Sequence, residues 1–174
     1  MICKKKWKQS TIKIGKLYHS PAYLCSMIEI DFTEFTPHLR IRQQGEKAFI
    51  LDPIRKKELV LQPEELVRQL VLQYLLQVKE YKVRQIRVEI GIKVNGLQKR
   101  CDIITFDKNI NPFLLVECKS AHIPIDQSVF DQIARYNMPL QVPYLMVTNG
   151  ITTFACKMDY PNASYEFMQE IPSP

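Results

Sequence analysis

The chain reads as an α/β protein in which a mixed central β-sheet is flanked by helices. Three observations predict this. Residues 85–94 alternate strictly, with Ile86, Val88, Ile90, Ile92 and Val94 on one face and Arg87, Glu89 and Lys93 on the other, which is the period of a half-buried strand. Phe113 to Val116 is an unbroken apolar run, as expected of a strand covered on both faces. A helical period over 126–138 then separates that run from another, Val142 to Thr148, and a helical crossover sets two such strands parallel.

The elements follow in order. Residues 28–51 carry short strand-like runs, the clearest being Lys47-Ala48-Phe49-Ile50-Leu51, closed by Asp52-Pro53. Ile54 to Leu61 reads as a basic strand or turn. Gln62-Pro63-Glu64-Glu65 opens a helix, since proline suits the first helical position and early acids favour the positive end of the helix dipole. Leu66, Leu70, Val71 and Tyr74 keep the helical period to about Val78. After the strand 85–94, Asn95-Gly96 is a hairpin turn signal, followed by a strand from about Lys99 to Phe106. Asp107 to Pro112 turns the chain into a third strand, Phe113 to Lys119. The helix 126–138 has Val129, Phe130, Ile133 and Ala134 as its apolar stripe. Asn149-Gly150 turns the strand 142–148 into a last strand, Thr152 to Lys157, and the tail beyond Asp159 is less regular.

At 174 residues and 46% hydrophobic composition, the chain has material for one domain with a real core. Its five cysteines are odd in number and form no Cys-x-x-Cys pair, which points to buried reduced thiols and a cytoplasmic protein rather than a disulfide framework. No apolar run approaches the roughly 20 residues of a membrane span. Lys4-Lys5-Lys6-Trp7-Lys8 resembles the start of a signal peptide, but Lys13 and Lys16 interrupt the stretch that would have to be apolar. The net charge of +6 is not spread over the chain. Residues 1–26 hold six lysines and neither acid nor arginine, so the remainder is neutral. Two units follow: a basic extension over 1–26, either an arm or a misassigned translation start, and a single domain over 27–174 opened by Met27-Ile28-Glu29-Ile30-Asp31-Phe32.

The chemistry concentrates in Asp102, in Val116-Glu117-Cys118-Lys119, and in Gln132 and Tyr136. Asp102 is followed by Ile103 and Ile104, and Glu117 ends the apolar run. A carboxylate and a lysine two residues apart share one face of a strand, and burying them there is costly unless something compensates. A divalent metal compensates. Two carboxylates and an ammonium around one point make a Mg2+ site (Mn2+ would serve) suited to phosphodiester hydrolysis. Gln132 and Tyr136 stand one helical turn apart and so share a face. Arg55, Lys56 and Lys57, with Arg100 and Arg135, are candidate phosphate contacts.

These segments resemble a known family. Asp52-Pro53-Ile54-Arg55-Lys56-Lys57, Pro63-Glu64-Glu65-Leu66-Val67-Arg68-Gln69, Lys99-Arg100-Cys101-Asp102-Ile103, Leu115-Val116-Glu117-Cys118-Lys119, Asp131-Gln132-Ile133-Ala134-Arg135-Tyr136-Asn137 and Thr148-Asn149-Gly150 together are similar to a PD-(D/E)XK nuclease domain, most of all the N-terminal nuclease domain of type I restriction enzyme R subunits. The resemblance spans roughly residues 28–157 and implies a restriction-endonuclease-like core. By position it implies that Asp102 and Glu117 are the metal-binding acids and Lys119 the active-site lysine. Gln132 and Tyr136 match a Gln-x-x-x-Tyr motif, and Glu65 (or Glu64) matches an acid on the first helix that completes the metal site. The expected function is a metal-dependent DNA endonuclease. Its expected partners are DNA and either a second copy of the chain or separate motor and specificity subunits, with no membrane.

The sequence departs from the family in two places. Cys101 stands where the family's proline would precede Asp102. No glycine-rich phosphate loop occurs, so this chain alone is not expected to couple cleavage to ATP. Plainer readings stand beside the functional ones. Glu117 and Lys119 also fit a buried ion pair without chemistry, Glu65 a helix-start acid, Glu89 a solvated strand residue, and Arg55 to Lys57 a solvated face. The alternative function is a catalytically inactive module of the same fold that binds DNA or a protein.

Overall fold

A computed structural model of the chain describes residues 4–6, 27–94, 97–137, 140–162 and 164–174; for residues 4–6, 92–94, 97–99, 127, 131, 132, 135 and 136 it describes the backbone alone. The expected basic extension thus falls almost wholly outside the described residues, apart from a short strand, β1 (Lys4–Lys6).

Nine further strands follow in chain order: β2 (Ile41–Gln44), β3 (Lys47–Asp52), β4 (Lys57–Val60), β5 (Ile86–Val94), β6 (Leu97–Phe106), β7 (Pro112–Cys118), β8 (Tyr144–Thr148), β9 (Thr153–Asp159) and β10 (Ser164–Phe167). Among the described residues the two α-helices are α1 (Pro63–Gln77) and α2 (Gln127–Asn137). The main sheet has the order β1-β10-β9-β8-β7-β6-β5, and β2-β3-β4 form a small antiparallel sheet of their own. Only β7 and β8 run parallel; α2 crosses between them, and every other neighbouring pair is antiparallel. The architecture is the expected one, a mixed central sheet flanked by helices, and it is compatible with a restriction-endonuclease-like core.

Each face of the sheet has its own core. On one, Val67, Val71, Leu72 and Leu75 of α1 pack on Ile86, Ile103, Leu114, Val116 and Met146. On the other, Phe130, Ile133 and Ala134 of α2 pack on Ile104, Leu115, Leu145, Val147 and Phe154. Leu114 and Leu115 therefore serve opposite cores, which is why β7 reads as a continuous apolar run.

Three expectations need correction. Residues 28–51 are not all strand-like: Phe32–His38 is a 3-10 helix, with Asp31 accepting from the Thr33 N–H at its start. Its buried Phe32 and Phe35 both pack edge-on against Tyr74 of α1. The tail is more regular than expected, because Ser164–Phe167 adds β10 to the sheet and Tyr165 and Phe167 pack on Phe130. The strict alternation of β5 breaks at Glu89. Val88 belongs to the α1-side core and Ile90 to the α2-side core, because Glu89 adopts the left-handed region at φ 49° and rotates the strand there. Its partner strand switches too, for Ile103 faces α1 and Cys101 faces α2. Finally, Val94 stands opposite Leu97, which fits the expected two-residue turn, but Asn95-Gly96 lie outside the described residues.

Candidate active site

The switch in β5 and β6 places Glu89 and Asp102 where the two strands rotate. The β6–β7 ladder runs from Phe106–Pro112 to Ile103–Val116. One step further, the Cys118 N–H of β7 donates to the Asp102 side chain at Oδ2 (2.7 Å). The other carboxylate oxygen of Asp102 accepts from Arg68 Nη2 at 2.9 Å. Asp102 is therefore gripped from the sheet on one side and from α1 on the other.

α1 opens on Pro63 with Glu64 and Glu65 in its first turn. Its first two turns bury polar residues: Glu65, Arg68 and Gln69 are all at most 9% exposed. Burial of this kind requires partners. Arg68 Nη1 bonds Glu65 Oε2 at 2.7 Å, and Gln69 Nε2 bonds Glu65 Oε1 at 2.9 Å. The end of α1 is seated by the β8–β9 turn. Gly150 there has φ 85°, a left-handed backbone that glycine suits, and a Cβ on it would meet Val67 Cγ2 at 3.4 Å, an ordinary contact.

The β3–β4 turn completes the arginine-rich side. Asp52 is fully buried and accepts from the Ile54 and Arg55 N–H groups, both at 2.8 Å, which shapes the turn. Arg55 then bonds Asp52, contacts Glu89, and lies 3.6 Å from Glu65, so one guanidinium joins a turn, a strand and a helix.

At the end of β7, Lys119 Nζ donates to Glu117 Oε1 at 2.6 Å, and the Lys119 N–H is fixed by Thr148 O at 2.9 Å. Burial first, and then the charge of Asp102, push the Glu117 carboxyl above its ordinary value despite the lysine. For Lys119, burial pulls downward, but the hydrogen bond it donates to Glu117 and the charges of Glu117, Glu64 and Asp102 outweigh it, so the ammonium is held more firmly than usual. The site end of β7 thus carries a reluctant acid beside a firm cation.

The structure brings Asp102, Glu117 and Lys119 together, and it revises the helix acid. Glu65 is taken up by Arg68, Gln69 and Arg55 instead of facing Glu117. Glu64 is the residue whose charge reaches Glu117 and Lys119. A step of one residue turns a helix by about 100°, which separates the two acids. Glu89 is not the solvated strand residue expected. Burial raises its pKa, but Arg55 and Arg68 more than reverse that and hold it below the ordinary value. Of the basic residues, Lys56, Lys57 and Arg100 are exposed, whereas Arg55 is bound internally. Gln132, Arg135 and Tyr136 lie on α2, but their side chains are outside the described set. Arg68 and Glu89 gave no sequence signal of a role. The spacing of Glu65 and Arg68, one helical turn apart, is the only hint.

Among the described residues no three of His, Cys, Asp and Glu already form a metal cage. The guanidinium of Arg68 and the ammonium of Lys119 draw Asp102 and Glu117 to themselves. The charge balance nonetheless fits a divalent cation. Asp52, Glu64, Glu65, Glu89, Asp102 and Glu117 face Arg55, Arg68, Lys119 and the rim residue Arg100, which leaves the acids in excess. Asp102 and Glu117 supply the hard oxygen ligands that Mg2+ prefers. Burial and the charge of Asp102 disfavour the ionised form of Glu117, and a cation beside it would favour that form.

The family model for the type I restriction enzyme R protein N terminus (HSDR_N) matches residues 63–172, more than half of the chain. The chain belongs to this family. The match begins at the first residue of α1 and includes every acid and base named for the site except Asp52, Arg55, Lys56 and Lys57. The small β2–β4 sheet lies outside the matched residues, and the turn that carries Arg55 reaches from it into the matched core of this HSDR_N domain. No curated protein matches the chain at a significant level.

Proposed function

We propose that this chain is a metal-dependent DNA endonuclease domain that hydrolyses phosphodiester bonds. The observation that carries the reading is the meeting of Glu117, Lys119 and Asp102 where β7 leaves the β6 ladder, in a cluster with too few cations for its acids. Asp102 and Glu117 would hold one or two Mg2+ ions, with Glu64 as the helix acid nearest to them. When bound, the ion polarises the scissile phosphate and lowers the pKa of a water.

The remaining work belongs to this chain's own residues. The Cys118 N–H fixes the plane of the Asp102 carboxylate. Lys119 stays protonated at neutral pH, since its pKa is raised, so it acts as a fixed cation that stabilises charge on the phosphoryl oxygens and orients the attacking water. Lys56, Lys57 and Arg100 are exposed and suited to contact the DNA backbone. Gln132 and Tyr136, one turn apart on α2, would orient DNA or support the metal shell. Cleavage of both strands by so small a site calls for a second copy, or for separate motor and specificity subunits.

The test is cleavage of supercoiled plasmid with Mg2+, Mn2+ or EDTA, comparing wild type with Lys119→Ala. Metal-dependent nicking that disappears in the variant supports the reading. DNA binding without cleavage under any condition supports the inactive binding module instead.

A further inference from the structure

The geometry points to Arg68 as an internal counter-ion that competes with the divalent cation for Asp102 and thereby sets the site's metal affinity. This inference rests on the metal-site reading above. Arg68 divides its guanidinium between Glu65 on Nη1 and Asp102 on Nη2, at 2.7 and 2.9 Å. Its side chain is 6% exposed, so water cannot substitute for these partners. The grip on Asp102 is also replaceable. Glu89 Oε1 lies 3.4 Å from Nη1, and Glu64 Oε1 lies 3.8 Å from Nη2. The nitrogen that would release Asp102 already has a second carboxylate within reach, and Nε is buried without a partner. Arg68 is thus one cation shared among four carboxylates, with a donor still to spare.

That arrangement explains why the acids form no ready cage. In this state one oxygen of Asp102 carries the charge of Arg68, and a metal arriving at that oxygen must share or displace it. Glu65, on the same guanidinium, acts as the counterweight: it draws Arg68 toward α1 and away from Asp102. Arg68 is a positioning residue in this scheme and touches no substrate.

The experiment is a calorimetric titration of the full-length chain with Mn2+, using wild type, Glu65→Gln, Arg68→Lys and the double variant Arg68→Met/Glu65→Gln. The double variant removes one positive and one negative charge together, so the net charge of the cluster is unchanged. It is expected to bind Mn2+ tighter than wild type by on the order of tenfold, a common size for a coupling between two sites. Glu65→Gln is expected to bind more weakly, because Arg68 then settles on Asp102. A merely structural arginine, or Glu65 as a direct ligand, would make the double variant as weak as wild type or weaker, and that result overturns the inference. If the double variant does not fold by circular dichroism, Arg68→Lys decides. Lysine keeps the charge but cannot span both carboxylates, so tighter binding than wild type is expected and unchanged affinity refutes the inference. Metal-dependent nicking by wild type with no shift in any variant defeats the inference and leaves the nuclease reading intact. Shifted affinity without nicking defeats the nuclease reading and leaves the inference standing. If no form binds Mn2+, both fall.

Discussion

At one end of the acidic cluster Glu65 and Glu89 are held by Arg55 and Arg68; at the other, among the described residues, Glu117 pairs only with Lys119, with Asp102 and Glu64 close by. The two ends respond in opposite ways. Arginine neighbours hold the Glu89 carboxyl below its ordinary value, while burial and Asp102 hold the Glu117 carboxyl above it. Both lie on strands of one sheet, so the difference is one of burial and of charge supply. The arginine end is compensated and ties α1, β5 and the β3–β4 turn into one unit. Among the described residues the lysine end is left short of positive charge, and the proposed chemistry belongs where compensation is incomplete.

The largest expected effect comes from breaking the open end. Lys119→Ala is expected to lower plasmid nicking by about 10²–10³-fold, the usual range for one preorganised donor that stabilises transition-state charge, with little change in the circular dichroism spectrum. If nicking persists in Lys119→Ala, Glu117→Ala and Asp102→Ala alike, the open end is not the reaction site.

Breaking the closed end should act on stability instead. Arg55→Ala leaves Asp52, Glu65 and Glu89 facing one another, and removal of one partner from a buried ion pair costs about 3–5 kcal/mol. Urea denaturation measures this. A loss near zero would mean that Arg55 is dispensable and the β3–β4 turn is not tied to the core.

pH sharpens the contrast. The Glu117 pKa is raised from its ordinary 4.5 in the folded chain. Its contribution to stability is therefore fully present below the unfolded value and is lost as pH rises through the folded value. The Glu89 pKa is lowered from 4.5, so its contribution is present above the unfolded value and is lost as pH falls through the folded one. Urea midpoints measured across pH should lose the first dependence in Glu117→Gln and the second in Glu89→Gln. The same dependence in both variants would erase the distinction between the two ends. The smallest effect is expected at Gly150→Ala, where a left-handed backbone takes on a Cβ and costs about 1–2 kcal/mol.

The open end was more legible in the sequence than the closed one, for a physical reason. Asp102, Glu117 and Lys119 each interrupt an apolar strand, and a polar residue in that setting signals a partner or a ligand. The crossover through α2 was legible because a helical period between two apolar runs leaves few other topologies. Glu89 and Arg68 were opaque. A period-two pattern cannot register a single residue in the left-handed region, and only that residue turns Glu89 toward the arginines. Arg68 gains its meaning from Asp102, which is 34 positions away. The choice between Glu64 and Glu65 depends on how α1 is rotated over the sheet. Phe32–His38 was missed because its two buried phenylalanines, three apart, form too short a pattern to be told from a strand, and β10 because four residues carry little period of either kind.

The most direct test of the account is the position of a bound metal. A crystal of the full-length chain soaked in Mn2+ gives an anomalous signal that locates the ion without assumption. The account predicts a peak at about 2.0–2.6 Å from oxygens of Glu117 and Asp102, the range for hard divalent cations. A peak among Asp52, Glu65 and Glu89, or none at saturating Mn2+, would contradict it.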